Sequence, residues 1–198
     1  MTAPDLSRRI RSARGQTMIE MAMILPFIVI LVLGMIELSY ALFDQHVATK
    51  LTREGSNLIS RNTSLQDAAT VMRNMSTAPI NFASGNSKVI FSVIKRGATV
   101  GSTNYDKDVL YQRLSYGSFP GASRVTTRGS GAFGPAPDYQ ALNSDSDGNL
   151  QVSGIPPNMI TIGGLLYVTE IYTRHTLITP FDRFGINVPN SLYSIAYF

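Results

Sequence analysis

Few side chains in this sequence could carry out a reaction. The chain has two histidines, His46 and His175, and no cysteine, so thiol chemistry is impossible. Zinc usually takes three or four protein ligands, and no His/Cys cluster is present. Neither a G-x-S-x-G motif nor a glycine-rich phosphate loop occurs, and no spacing connects serine, aspartate and histidine. The sequence therefore predicts a protein that is not an enzyme and needs no cofactor, with His175 at a surface or strand end.

One polar turn has the composition of a calcium-binding loop. Its residues NSDSDG, at 143–148, alternate oxygen-bearing side chains and end on a glycine. The twelfth position of such a loop should hold a bidentate glutamate, and here it is Gly154. An ordinary Asp-Gly turn at Asp145 and Asp147 is therefore favoured over a calcium site. No metal is predicted.

A long apolar stretch, Gly15 to Phe43, is the strongest feature of the chain. Its central 16 residues carry no charge and are bounded by Glu20 and Glu37. A membrane-spanning helix needs about 17–25 mostly apolar residues, and apolar residues extend this stretch on both sides. A cleaved secretory signal would end in a small-residue site, and a soluble helix would show a polar face. Neither feature is present, so a retained membrane helix is predicted, with lipid as its surroundings.

The basic residues are concentrated before this stretch. Residues 1–15 contain four arginines and one aspartate, a charge of +3 out of the total of +4. Positive charge beside a first span favours the cytoplasmic side, which places the rest of the chain across the membrane. Because the remainder carries only +1, the basic balance reflects topology, and no nucleic-acid partner is predicted.

The arginine-rich leader, Gly15, Glu20 five residues later and an unbroken apolar helix resemble a class III, prepilin-type signal. The string GQTMIEMAMILP, followed by GMIE at 34–37, is similar to the start of the TadE-like family. Those proteins are minor pseudopilins of the tight-adherence (Flp) pilus system. The resemblance is strong over about the first 60 residues and fades to a weak echo at 172–180. Cysteines that many relatives carry near the C-terminus are absent.

The resemblance implies roles for several residues. A prepilin peptidase would cut after Gly15 and make Gln16 the new N-terminus, whereas the alternative is an uncleaved joint before a signal anchor. Glu20 would meet the N-terminal amine of a neighbouring subunit during assembly, or else extend into the lipid headgroups. Pro26 removes a backbone donor and is expected to kink the helix, although membrane helices also tolerate proline. Glu37 is expected to mark the exit from the membrane into water.

The predicted fold class is α+β, with a long pilin-like helix, a short helix and a mainly antiparallel sheet. The predicted parts are a cytoplasmic leader at 1–15, a transmembrane helix at 16–43, and an amphipathic stalk with a second helix at 44–78. An extracytoplasmic β-rich domain follows at 79–198, with a flexible loop near 117–149. Ser64 and Asp67 predict the start of the second helix. Strands are expected near 88–94, 108–116, 159–174 and 192–198.

Two functions fit these features. The first is a minor pseudopilin of the bacterial inner membrane that supports assembly of a tight-adherence pilus for surface attachment and biofilm formation. Its partners would be the prepilin peptidase, pilin and other pseudopilins, and it could enter the pilus itself. The second is an uncleaved, signal-anchored periplasmic binding module whose long loop contacts a ligand.

Overall fold

The computed structural model describes residues 6–185 and 190–198, with side chains from residue 16 onward except those of residues 182 and 184. A single helix, α1, spans Leu6–Ser60. It begins in the arginine-rich leader and continues through the uncharged residues 21–36, which lack the spaced polar residues of a soluble amphipathic helix. The helix ends where Asn62 takes a positive φ of 60°, a left-handed conformation that an α-helix does not continue through.

The second helix, α2, spans Leu65–Met75 and begins as the sequence predicts. The Ser64 hydroxyl accepts a hydrogen bond from the Asp67 backbone N–H at 3.1 Å and donates one to the Asp67 carboxylate at 2.7 Å. This arrangement satisfies a free N–H of the first turn. One side of α2 is apolar, and Leu65, Ala68 and Met72 on it are buried.

The main sheet is antiparallel and has four strands. They are β1 (Ser87–Arg96), β2 (Asp108–Tyr116), β5 (Leu165–Arg174) and β6 (Ser191–Tyr197), in the order β2-β1-β5-β6. The predicted hairpin of β1 and β2 is confirmed, with Phe91 opposite Leu114. The predicted C-terminal strand is present as β6 and pairs with β5, with Tyr193 opposite Tyr172. Helix, short helix and antiparallel sheet together confirm the α+β class.

The connection between β2 and β5 covers part of the sheet. It contains a two-stranded sheet, β3 (Thr126–Thr127) with β4 (Val152–Ser153), and a 3-10 turn at Gly148–Leu150. Val125 and Ile160 of this connection pack with Ile94, Leu166 and Val168 of the main sheet. The segment at 117–149 has little hydrophobic periodicity, but its Val125 contributes to the core. The predicted flexibility of this segment and the predicted domain bounds remain predictions.

The chain divides into two compact units. The first contains α1 through Leu42 and the segment that begins at Leu177, and the second contains Phe43–Thr176 and β6. Within the second unit, the C-terminal part of α1 packs on the sheet. Thr52 Oγ1 lies 2.9 Å from Ser194 Oγ, and Ser56 donates to the Ala196 carbonyl at 3.0 Å. The helical pattern predicted for the stalk therefore continues as a core helix of this unit.

Gly55 gives a test of this packing. A Cβ at Gly55 would lie 2.8 Å from Thr169 Cγ2 and 3.2 Å from Phe91 Cε1. We expect Gly55→Val to lower the free energy of unfolding by about 1–3 kcal/mol, because overpacking forces side chains and backbone to shift. The measurement is chemical unfolding of the full chain in detergent. Lys50→Val, at an exposed position of α1, is the control, and equal losses in the two variants would contradict the packing described here.

Candidate membrane and assembly site

The apolar part of α1 is exposed in its own unit. Phe27 is 74% exposed, and large apolar side chains from Met18 to Leu42 are exposed with it. In the part of the chain that the structure describes, one helix, at Gln16–Ser60, is long and apolar enough to cross a membrane. None of its most apolar window is buried. This helix is a candidate membrane anchor.

The residues implied in processing and assembly lie at the start of this helix. Gly15 is within the backbone of α1, and Gln16 and Glu20 are both exposed on its surface. The four-residue spacing places these two side chains one turn apart, and Gln16 Nε2 donates to Glu20 Oε1 at 3.2 Å. Pro26 lies inside the continuous helix, and the kink expected there remains a prediction. The leader residues 1–5 are outside the described residues.

Glu37 has partners that the sequence did not indicate. Its Oε2 accepts from the backbone N–H groups of Ile178 at 3.2 Å and Thr179 at 2.9 Å, and from the Thr179 hydroxyl at 2.6 Å. The residue is only 4% exposed. The Glu37 side chain, which was expected to lie in water, is therefore buried against residues 177–181 of its own unit. The position of Glu37 at the membrane exit remains a prediction. A Cβ at Gly34 would be 3.9 Å from Phe181, so the segment lies close along the helix there.

The signal for this contact was weak but present. The GMIE string at 34–37 and the weak echo at 172–180 both belong to the family resemblance, and the structure brings Glu37 and Thr179 together. A carboxylate that accepts three hydrogen bonds is suited to hold an irregular segment against a helix. The three contacts described here are N–H or O–H donors to one carboxylate oxygen, and they join α1 to residues 178 and 179.

His175 is buried in the second unit. It directly follows β5, as a strand-end residue, but it is 1% exposed and not at the surface. Its Nδ1 lies 2.6 Å from Asp44 Oδ2. His46 is exposed on α1, and the described residues contain no group of three or more His, Cys, Asp or Glu that could hold a metal. The Asp44–His175 pair joins α1 to the end of β5 within the unit.

A second buried carboxylate, Glu170 of β5, was not singled out by the sequence. Its Oε1 accepts from the Arg124 backbone N–H and the Tyr193 hydroxyl, both at 2.8 Å, and its Oε2 accepts from Ser123.

Arg113 lies beside this cluster and donates to the Val125 carbonyl at 2.7 Å. Burial lowers the pKa of Arg113, while the charge of Glu170 opposes that shift. Burial, and then the hydrogen bond to Glu170, raises the pKa of Tyr193 above its usual range. The hydrogen bonds to Glu170 hold residues 123 and 124 of the connection against the sheet.

The calcium-like turn uses its carboxylates within the protein. Asp145 accepts from Thr99 Oγ1 at 2.9 Å and lies 3.4 Å from Lys95 Nζ, and the Thr99 hydrogen bond is the main cause of its lowered pKa. Asp147 Oδ1 accepts from the Asn149 backbone N–H at 2.9 Å. Asn104 donates to the carbonyls of Ser144 and Asp147, both at 2.8 Å. These contacts favour the interpretation of an ordinary turn.

Calcium addition tests that interpretation. We expect about 1 mM Ca²⁺, a concentration that weak extracellular calcium modules bind, to shift the Tm by less than about 1 °C, because the Asp145 and Asp147 oxygens already have protein partners. Mg²⁺ at equal concentration controls for ionic strength. A Tm increase that is specific to Ca²⁺ and is lost in Asp145→Asn would contradict the prediction.

Comparisons with known proteins agree with the N-terminal resemblance. No curated protein and no solved structure matches the chain. The family model described as TadE-like protein matches residues 15–57, which begin at the proposed cleavage glycine and include the exposed apolar part of α1. The family indicates a protein associated with the Tad pilus. Residues 15–57 of this chain are thus a TadE-like segment, and the resemblance to that family is confirmed over these residues.

Proposed function

We propose that this protein is a minor pseudopilin that supports assembly of a tight-adherence pilus for surface attachment and biofilm formation. It is inserted in the bacterial inner membrane through residues 16–43, with a cytoplasmic N-terminus and a periplasmic C-terminal domain. A prepilin peptidase removes the leader by cutting after Gly15. Its partners are membrane lipid, that peptidase, pilin and other minor pseudopilins.

One observation carries the proposal. The TadE-like match covers residues 15–57, and within it lies a helical stretch that is apolar on all sides, at 21–36, in a helix whose most apolar window is unburied. In water such a surface is unfavourable by about 25 cal/mol for each Å² of apolar area, so it requires lipid or the helices of other membrane proteins around it. A pseudopilin uses its helix in both settings: in the bilayer before assembly and against other subunits afterwards.

The proposed role of Glu20 fits the geometry at the start of the helix. After cleavage, the new α-amine would belong to Gln16, one turn before Glu20. A carboxylate near the membrane boundary costs a few kcal/mol unless it is paired. An amine supplied by a neighbouring subunit offsets that cost only when the two helices are in register, which makes the pair a determinant of assembly.

Complementation of a deletion strain tests the function. Cells that lack the gene are expected to have few or no tight-adherence pili and to attach poorly, and the wild-type gene should restore both properties. Leu31→Arg places a charge in the apolar helix, at a cost of about 2.5–3.5 kcal/mol, and should fail to restore pili. Lys107→Ala changes one charged residue of the second unit, which contains the β-sheet, and is the matched control. This variant should restore the pili.

The outcomes separate the two functions left open by the sequence. Normal pilus numbers in the deletion strain would contradict the proposal. If pili were normal and attachment alone were lost, the signal-anchored binding module would be favoured instead.

A further inference from the structure

Residues 177–181 form a short segment, irregular up to Thr179 and entering a 3-10 helix (Pro180–Phe184), that lies against α1 near Gly34 and Glu37. Phe181 of this segment is buried, whereas Ile178 is 55% exposed and Pro180 is also exposed. We refer to residues 177–181 as the collar segment. Two apolar side chains of α1 at the same level, Met35 and Leu38, are exposed as well.

The collar segment has its polar groups satisfied where it meets the helix. The backbone N–H groups of Ile178 and Thr179 and the Thr179 hydroxyl all donate to Glu37. Pro180 has no N–H to satisfy. Irregular backbone that is exposed to water needs no such carboxylate, because water molecules form hydrogen bonds with its N–H and C=O groups. Near lipid, each unsatisfied group costs several kcal/mol, and non-helical backbone is tolerated only when the protein supplies its partners.

We infer that the collar segment is a membrane-contacting element that inserts into the headgroup and upper acyl region beside α1. Ile178 contacts lipid there, and Glu37 holds the segment in place as a positioning residue. The segment lies against α1 at Gly34 and Glu37, next in sequence to the exposed Met35 and Leu38, and lipid is the proposed surroundings of the exposed apolar side chains of α1. This inference rests on the proposed membrane insertion of α1, and it adds a second lipid contact from a part of the chain about 140 residues distant.

Single-cysteine labelling measures the lipid contact directly. The natural chain has no cysteine, so a spin label at one introduced cysteine reports one position. The three sites are Ile178, Ile30 (52% exposed in the middle of the apolar stretch) and Val100 (80% exposed, in the β-rich unit). The full chain is reconstituted in vesicles of phosphatidylethanolamine and phosphatidylglycerol. Collision rates are measured with oxygen, which concentrates in lipid, and with a water-soluble nickel chelate.

The expected result is that labels at Ile178→Cys and Ile30→Cys collide mainly with oxygen, whereas the label at Val100→Cys collides mainly with nickel. If the label at position 178 behaves like that at 100 while position 30 remains in lipid, the inference is overturned and membrane insertion stands. If position 30 also behaves like position 100, the proposed insertion itself fails. Protection of position 178 from both reagents would show a protein partner there and would also overturn the inference.

The role of Glu37 is tested in the same reconstituted chains, with the spin label at position 178 or position 30. Glu37→Ala should raise nickel accessibility at position 178 severalfold and leave position 30 unchanged, because the segment loses its acceptor. Glu54→Ala, on the same helix but in the other unit, should change neither position. Thr179→Val removes the hydroxyl hydrogen bond to Glu37 with little change in side-chain shape, and it is the second variant if Glu37→Ala folds poorly. It should give a smaller change of the same sign, and no change in either variant would overturn the positioning role.

Discussion

Glu170→Ala is expected to lower the free energy of unfolding by about 3–5 kcal/mol, the largest stability loss anticipated for a single substitution in this chain. The wild-type carboxylate is fully buried and accepts hydrogen bonds from Ser123, Arg124 and Tyr193. Removing it leaves those donors without their acceptor, at about 1–3 kcal/mol for each group that stays unsatisfied. It also removes the negative charge that favours the charged form of Arg113.

Urea unfolding of the full chain in detergent measures this loss. Tyrosine fluorescence is a suitable signal, because the chain has nine tyrosines and no tryptophan. Glu170→Gln keeps the side chain's size and one acceptor oxygen, and should lose less stability than Glu170→Ala. Asp138→Ala removes an exposed carboxylate and should change stability by no more than about 0.5 kcal/mol. Similar losses for Asp138→Ala and Glu170→Ala would contradict the structural role assigned to the buried cluster.

Glu20→Ala is expected to leave membrane insertion and cleavage intact but to reduce the recovery of this protein with pilin about tenfold. Insertion should persist because alanine removes a carboxylate that is costly near the membrane boundary. Association should weaken because, in its proposed role, Glu20 supplies the charge for a neighbouring amine, and about 1.4 kcal/mol of lost pairing corresponds to a tenfold change in an equilibrium constant. Crosslinking in intact cells, followed by capture with an antibody to the major pilin, measures the recovery.

Gln16→Ala separates two explanations of that effect. It removes the side-chain amide that donates to Glu20 within the chain, but it keeps the α-amine that cleavage would create. If the amine is the partner, Gln16→Ala should assemble nearly as well as wild type. Equal recovery of Glu20→Ala and wild type would contradict the assembly role of Glu20.

The local elements could be predicted because their signals are local. The uncharged residues 21–36 predict the apolar helix, and Ser64 with Asp67 predicts the start of α2. The strands β1 and β2 follow from two β-rich segments, and their pairing follows because they are consecutive in the chain, joined by residues 97–107. In each case, the pattern within the element or between consecutive elements determines the outcome.

The long-range polar contacts could not be predicted in the same way. Glu37 and Thr179 are 142 positions apart, and Glu170 meets the backbone of Arg124 from 46 positions away. A single glutamate in a strand or at the end of an apolar stretch has the same local pattern whether it faces water or hydrogen-bond donors. The segment from 117 to 149 has little hydrophobic periodicity, so its packing on the sheet depends on tertiary contacts such as that of Val125 with Val168.

The mature N-terminus is the most direct test of the central claim that this chain is a processed, TadE-like pseudopilin. Intact mass and N-terminal sequencing would be performed on protein from cells with and without their prepilin peptidase. We predict a chain that starts at Gln16 in the first strain and retains its leader in the second. A start at Met1 or Thr2 in both strains would contradict processing, and the protein would then be a permanently anchored membrane protein.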